Sequence, residues 1–134
     1  MFRLIKGFSA SAVIGGQRVD AISHIDCSEI REGKLNDLKA AISELVEFVR
    51  TTEPKTIAYE IYFNEDQIQM TVLQIHPDSA SAEFHMEVAS PAFRKFVELI
   101  NMSRIDIYGT PSHGLLDRMR LKAQLLGGAT LAVH

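Results

Sequence analysis

The spacing of apolar and polar positions divides the chain into strand-like and helix-like runs. Leu35, Leu38, Ile42, Leu45, Val46 and Val49 recur every three or four residues through a segment of good helix formers. Lys34, Asp37, Lys39, Ser43, Glu47 and Arg50 fall on the other face, which predicts an amphipathic helix lying on a sheet and ended by Thr51-Thr52-Glu53-Pro54. Ahead of it, Val19, Ala21, Ser23 and Ile25 share one face of a strand while Ile22 and His24 share the other. Behind it, Thr56 to Phe63 is dense in β-branched and aromatic residues, and Ile68 to His76 alternates. The polar connector Asn64 to Gln67 joins these two runs as a hairpin, though it lacks the glycine of a tight primed turn.

Pro77 cannot continue a central ladder, and Asp78 or Ser79 is placed to cap a helix that carries Phe84, His85 and Met86. Ser90-Pro91 predicts a second short helix, with serine as its cap and Phe93, Phe96, Val97 and Ile100 as its apolar stripe. Between Met102 and Tyr108, Ile105 and Ile107 alternate with Arg104, Asp106 and Tyr108, a further strand. Leu115, Leu116, Met119, Ala123 and Leu126 mark a last helix, and Leu131 to Val133 forms a terminal apolar run that docks on the domain or on a partner subunit. Residues 1–18 show no sustained period and read as an edge strand or an arm.

Strand, long helix, hairpin, helical region and strand in this order make an α+β domain of the ferredoxin-like split βαβ class. The expectation is a four-stranded antiparallel sheet with helices on one face, spanning residues 19–110, with a C-terminal helix and tail over 111–134. Several strands are apolar on both faces: Tyr59, Ile61 and Phe63 oppose Ala58 and Tyr62, and Leu73 and Ile75 oppose Met70 and Val72. One helix layer covers one face only, so the pattern predicts a homodimer through the sheet.

Composition narrows the function classes. A formal charge of −3 offers no broad attraction to phosphate backbones, so nucleic acid is not an expected partner. No apolar run approaches the roughly 18–20 residues of a membrane span, and the mixed N-terminal stretch does not make a signal peptide. Cys27 is the only cysteine, which excludes an intrachain disulfide and a cysteine-cluster zinc site and fits a cytoplasmic setting. Gly15-Gly16 and Gly127-Gly128 are isolated pairs and form no phosphate loop, so no nucleotide cofactor is indicated.

Thr56-Ile57-Ala58-Tyr59-Glu60-Ile61-Tyr62, the acidic turn and second strand, Asp78-Ser79-Ala80 with Phe84-His85-Met86, and Ser90-Pro91-Ala92-Phe93 together resemble the antibiotic biosynthesis monooxygenase superfamily. The resemblance covers roughly residues 19–110. It implies a dimeric α/β barrel with a cavity between sheet and helices and, as in characterised members, oxygenation of quinols or polyketide aromatics without metal or flavin. The chain departs from the haem-degrading branch, which the resemblance would mark by a tryptophan near His85 or Met86 and a histidine on the helix after Pro91: it has no tryptophan, and that helix reads Phe93-Arg94-Lys95-Phe96-Val97-Glu98.

His85 is the candidate catalytic group: beside an apolar cavity, a histidine can take a proton from a phenolic hydroxyl and enrich the ring for reaction with oxygen. His24, His76 and Tyr59 are candidate ligand-binding residues, each also explained as a hydrogen-bonded structural side chain. His24-x-Asp26 lacks the spacing of a metal motif, so no metal and no cofactor are expected. Cys27 has no basic neighbour and reads as inert, and Glu60 is placed to pair with Arg104. The leading reading is a cofactor-independent monooxygenase of an aromatic or quinol-like small molecule. The alternative is a non-catalytic ligand-binding or stress-related dimeric barrel whose histidines are structural.

Overall fold

A computed structural model describes residues 2–5 and 20–134. The elements are β1 (Phe2–Ile5), β2 (Ile22–Ile30), α1 (Leu35–Thr52), β3 (Ala58–Phe63), β4 (Gln69–His76), α2 (Ser79–Val88), α3 (Ser90–Phe96), β5 (Ile100–Tyr108), α4 (His113–Leu126) and β6 (Thr130–Val133). The strands form one sheet in the order β1-β3-β4-β2-β5-β6. Its centre, β3-β4-β2-β5, is antiparallel and is the sheet expected of a split βαβ domain.

The sheet is nevertheless wider than four strands and is mixed. β1 pairs with β3 along one edge, and β6 runs parallel to β5 along the other. The terminal apolar run from Leu131 therefore docks on its own domain, through the ladder. The rest of the expected N-terminal arm, residues 1 and 6–18, lies outside the described residues. Gly127 makes the return from α4 possible: at its φ of 144° a Cβ would stand 2.8 Å from the Met102 nitrogen.

α1 buries Leu38, Ile42, Leu45 and Val49 against the sheet, as its period requires. On β5, both Met102 and Ile105 are buried although three residues apart, because the β2–β5 register shifts and Ser103 becomes the extra residue of a bulge. The hairpin closes without glycine: Gln67 takes a φ of 58°, and the Asn64 side-chain oxygen accepts from the backbone of Ile68 and Gln69 at 3.0 and 2.9 Å. Asp78 caps α2, accepting from the Ser81 nitrogen at 2.7 Å. Ser90 does not cap α3; Ala89 holds that position, since α3 follows α2 with no intervening loop. The expected pairing of Glu60 with Arg104 also gives way, because β4 and β2 separate their strands: Arg104 binds Asp106 at 2.7 Å, and Glu60 accepts from the Tyr62 hydroxyl.

Candidate functional site

The strand period places polar side chains on the inward face. On β2 the buried positions are Ile22, His24, Asp26 and Ser28, and on β4 they are Met70, Val72, Gln74 and His76. Register sets His24 directly beside Gln74 and Ile22 beside His76, so the two histidines are diagonal neighbours. Their rings stack at 5.8 Å with 10° between planes. At the outer end of this row, Pro54 stops α1 and begins a turn in which the Thr56 N–H donates to the Glu53 carbonyl at 3.3 Å. That turn sets the side chains of Glu53 and Thr56 together beneath α2.

A continuous set of buried ionisable groups results. Lys122 Nζ, from α4, donates to Asp26 Oδ2 at 2.6 Å, and His24 Nδ1 lies 3.3 Å from Asp26 Oδ1. His76 Nε2 lies 3.1 Å from Gln74 Oε1, and its Nδ1 3.4 Å from Thr56 Oγ1. The Thr56 hydroxyl donates to Glu53 Oε1 at 3.0 Å, and His85 Nδ1 stands 2.8 Å from each Glu53 carboxylate oxygen. The His85 ring is enclosed by His76 at 5.4 Å, Tyr59 at 5.6 Å and Phe93 at 5.9 Å. His24 Nε2, Gln74 Nε2, Ser28 Oγ and His85 Nε2 are buried with no hydrogen-bond partner among the described residues. All four belong to side chains on the inward sheet face or on α2.

Burial lowers the pKa of His85 below its ordinary 6.5, outweighing the Glu53 carboxylate that raises it. The ring is thus a neutral imidazole that donates from Nδ1 to Glu53 and keeps a lone pair on Nε2. Burial, reinforced by His85, His24 and Lys122, holds His76 well below its ordinary value. Burial likewise raises the Tyr59 phenol, helped by Asp26 and Glu53, so it remains protonated. For Asp26, burial pulls upward, but Lys122 and His24 together hold the carboxyl below the usual range.

The two depressed histidines make stability depend on pH. Below about 6.5 the unfolded chain binds protons that the folded chain excludes, so the stabilisation is full above that value and declines as the pH falls toward the folded pKa values. Urea unfolding at pH 7.5, 6.5 and 5.5 is expected to show a midpoint that falls with each acid step. A midpoint constant over this range would mean that both rings ionise in the folded protein as freely as in water.

A cavity of about 430 Å³ opens on the outer side of this set, lined by residues 52–56 together with Ala80, Ser81 and Phe84. Glu53 and Thr56 belong both to its wall and to the buried set. A second space of about 30 Å³ lies within the core, with Asp26, Tyr59, Phe93 and Lys122 in its wall. Of the four residues singled out from the sequence, His24, His76 and Tyr59 lie on the inward sheet face and His85 meets them from α2: His85, His76 and His24 are fully buried, and Tyr59 is 2% exposed. None lines the larger cavity; His85 stands behind Glu53 rather than at a cavity mouth.

Glu53, Thr56, Asp26, Gln74 and Lys122 were not legible as site residues, although some left a trace. Asp26 and Gln74 continue the inward faces defined by Ile22 and Val72, and Lys122 falls at helical spacing within the stripe Leu115, Met119, Leu126. A polar residue on an apolar face is the signal they share. Glu53 shows only as the residue that ends a helix before proline.

These features define a ferredoxin-like α+β domain with an ionisable cluster between sheet and helices. MupZ from Pseudomonas fluorescens is similar in structure, with a TM-score of 0.65 at 18% identity over 85% of this chain and 89% of that one. SnoaB, a cofactor-independent oxygenase from Streptomyces nogalater, gives a TM-score of 0.59 at 8% identity over 69% of this chain and 95% of its own. A protein from Bacteroides thetaiotaomicron, named as a candidate antibiotic biosynthesis monooxygenase, gives 0.54 at 19% identity over 70% of this chain and 90% of its own. The chain shares its fold with these proteins. No protein-family model matches its sequence, and no curated protein matches it. Among the described residues no helix is long and apolar enough to cross a membrane.

Proposed function

We propose that this protein is a monooxygenase that oxidises a phenol or quinol with molecular oxygen and no metal or organic cofactor. The observation that carries the reading is the Glu53–His85 pair, with bonds of 2.8 Å, set at the wall of a cavity large enough for a multi-ring molecule. The superfamily fold, shared with a cofactor-independent oxygenase, supports it.

In the cavity the substrate hydroxyl meets the Glu53 carboxylate, which acts as general base. His85, the residue singled out from the sequence, acts through Glu53, holding it in position by the Nδ1–H bond. Lys55, also in the wall, places a positive charge near the phenolate that forms. The phenolate passes one electron to dioxygen; the superoxide and phenoxyl radical then join at a ring carbon. Glu53 returns its proton to the peroxide, and loss of that ring carbon's hydrogen with cleavage of the O–O bond releases water and leaves a quinone. One phenol and one dioxygen give one quinone and one water. Oxygen uptake with mono- and dihydric phenols and naphthols tests this, with one dioxygen consumed per quinone formed. No uptake across that panel would overturn it.

The protein also forms a homodimer in this reading, through the sheet face away from the helices. Ile25, Leu73 and Ile75 are only half-buried there, and Tyr108 is exposed beside them. Light scattering at micromolar concentration should give twice the chain mass; a monomer there removes the dimer.

A further inference from the structure

Between Glu53 and His76 a single hydroxyl proton faces two acceptors. Thr56 Oγ1 lies 3.0 Å from Glu53 Oε1 and 3.4 Å from His76 Nδ1, and a threonine hydroxyl donates to only one of them at a time. The other nitrogen of His76, Nε2, faces the Gln74 carboxamide at 3.1 Å. That amide serves His76 as acceptor through its oxygen or, turned over, as donor through its nitrogen, and Gln74 Nε2 is tied to nothing else among the described residues. The row from Glu53 to Gln74 therefore has two arrangements of opposite polarity in which every link is a hydrogen bond.

With Glu53 as the carboxylate, Thr56 donates outward to it, His76 donates from Nδ1 to the Thr56 oxygen, and the Gln74 nitrogen donates to His76 Nε2. With Glu53 protonated, its O–H donates to Thr56, Thr56 donates inward to His76 Nδ1, and His76 donates from Nε2 to the Gln74 oxygen. We infer that Thr56 couples the protonation state of Glu53 to the equilibrium tautomer of His76: a proton taken up at Glu53 stays there, the hydrogen bonds from Glu53 to Gln74 reverse, and His76 gives up its Nδ1 proton to solvent water and takes one back at Nε2. No net charge moves inward.

The surroundings fit a change of tautomer rather than of charge. His76 is fully buried and faces His24 on β2 and His85 on α2, with Tyr59 of β3 opposite Gln74, while the Lys122 ammonium on α4 and the Asp26 it binds lie beyond His24. Burial, with His85, His24 and Lys122, disfavours the imidazolium. For the acid–base role of Glu53, on which this inference rests for its use in turnover, the consequence is that Glu53 keeps its hydrogen bond with Thr56 in both protonation states. Thr56, His76 and Gln74 are positioning residues for that role.

Nitrogen-15 NMR of ring-labelled histidines tests the coupling without any substrate, with the His76 signals assigned by their loss in His76→Gln. The wild type is expected to show the Nδ1–H tautomer of His76, and Glu53→Gln, whose side-chain N–H donates to Thr56, the Nε2–H tautomer. Adding Thr56→Val to both proteins should abolish the difference between them, and Thr56→Ser in its place should restore it. In the unmodified protein, the carbon-13 shift of the Glu53 carboxyl and the His76 nitrogen shifts should titrate together, which keeps the test available if a variant does not fold. The same tautomer in wild type and Glu53→Gln, a difference that survives Thr56→Val, or separate titrations would each overturn the coupling. Absence of oxygen uptake overturns the oxygenase reading and leaves this result standing.

Discussion

Lys122→Met is expected to lower the unfolding free energy by about 3–5 kcal/mol, the usual cost of leaving one member of a buried ion pair behind. Lys122 is 5% exposed and Asp26 2%, and their 2.6 Å bond joins α4 to the central strand β2. Methionine replaces the lysine stem well among Leu126, Met102 and Phe93, so the loss measures the abandoned carboxylate, together with the ammonium's contact over the Phe93 ring at 4.8 Å. For a domain of this size the loss corresponds to a fall in Tm on the order of 10 °C. Asp26→Leu combined with Lys122→Met should recover most of it, because a pair replaced by apolar groups leaves no charge uncompensated. The sign with pH follows from the lowered carboxyl: the pair's contribution is present above the unfolded aspartate's value of about 3.9 and is lost as the pH falls through the depressed folded value. Thermal unfolding of the three proteins at pH 7 checks the expectation. A single variant as stable as the wild type would mean that Asp26 finds water or another donor.

The same ion pair shows where sequence and structure part company. Periodicity carried the layout because each element's apolar stripe is local: α1 needs only Leu38, Ile42, Leu45 and Val49, and the hairpin only its alternation. Sheet width was not legible, since β1 and β6 are four-residue edge strands whose pairing depends on tertiary docking rather than on any period. The histidines stood out by residue type, and the fold gathers His24 and His76 on the inward sheet face and sets His85 of α2 against them. Their partners did not stand out. Glu53 and Thr56 come together only because Pro54 turns the chain between them, and Lys122 meets Asp26 across 96 positions of sequence. Pairing of that range is fixed by topology, and no spacing rule reads it.

Glu53→Gln should lower the kcat of oxygen uptake by roughly 10²–10⁴-fold, the range for removing a positioned general base. The substitution keeps the shape of the side chain, and its carbonyl oxygen still accepts from His85 Nδ1, so the fold and the substrate's KM should change little and the loss should fall on kcat. His85→Ala acts one step further back. It removes one charge-assisted hydrogen bond, about 1.5–3 kcal/mol, which corresponds to roughly 10–100-fold in rate if the bond matters only in holding the base. The ordering of the two variants is therefore diagnostic. Greater damage from Glu53→Gln puts the base at the cavity wall, where the structure sets a carboxylate 2.8 Å from the imidazole. Greater damage from His85→Ala, in protein shown by circular dichroism to be folded, would transfer that role to His85 Nε2 and require the substrate to enter between Tyr59 and Phe93, whose rings flank His85 at 5.6 and 5.9 Å. Turnover within about threefold of wild type in Glu53→Gln would remove Glu53 as the base, since even one lost hydrogen bond to a charged group costs more than that.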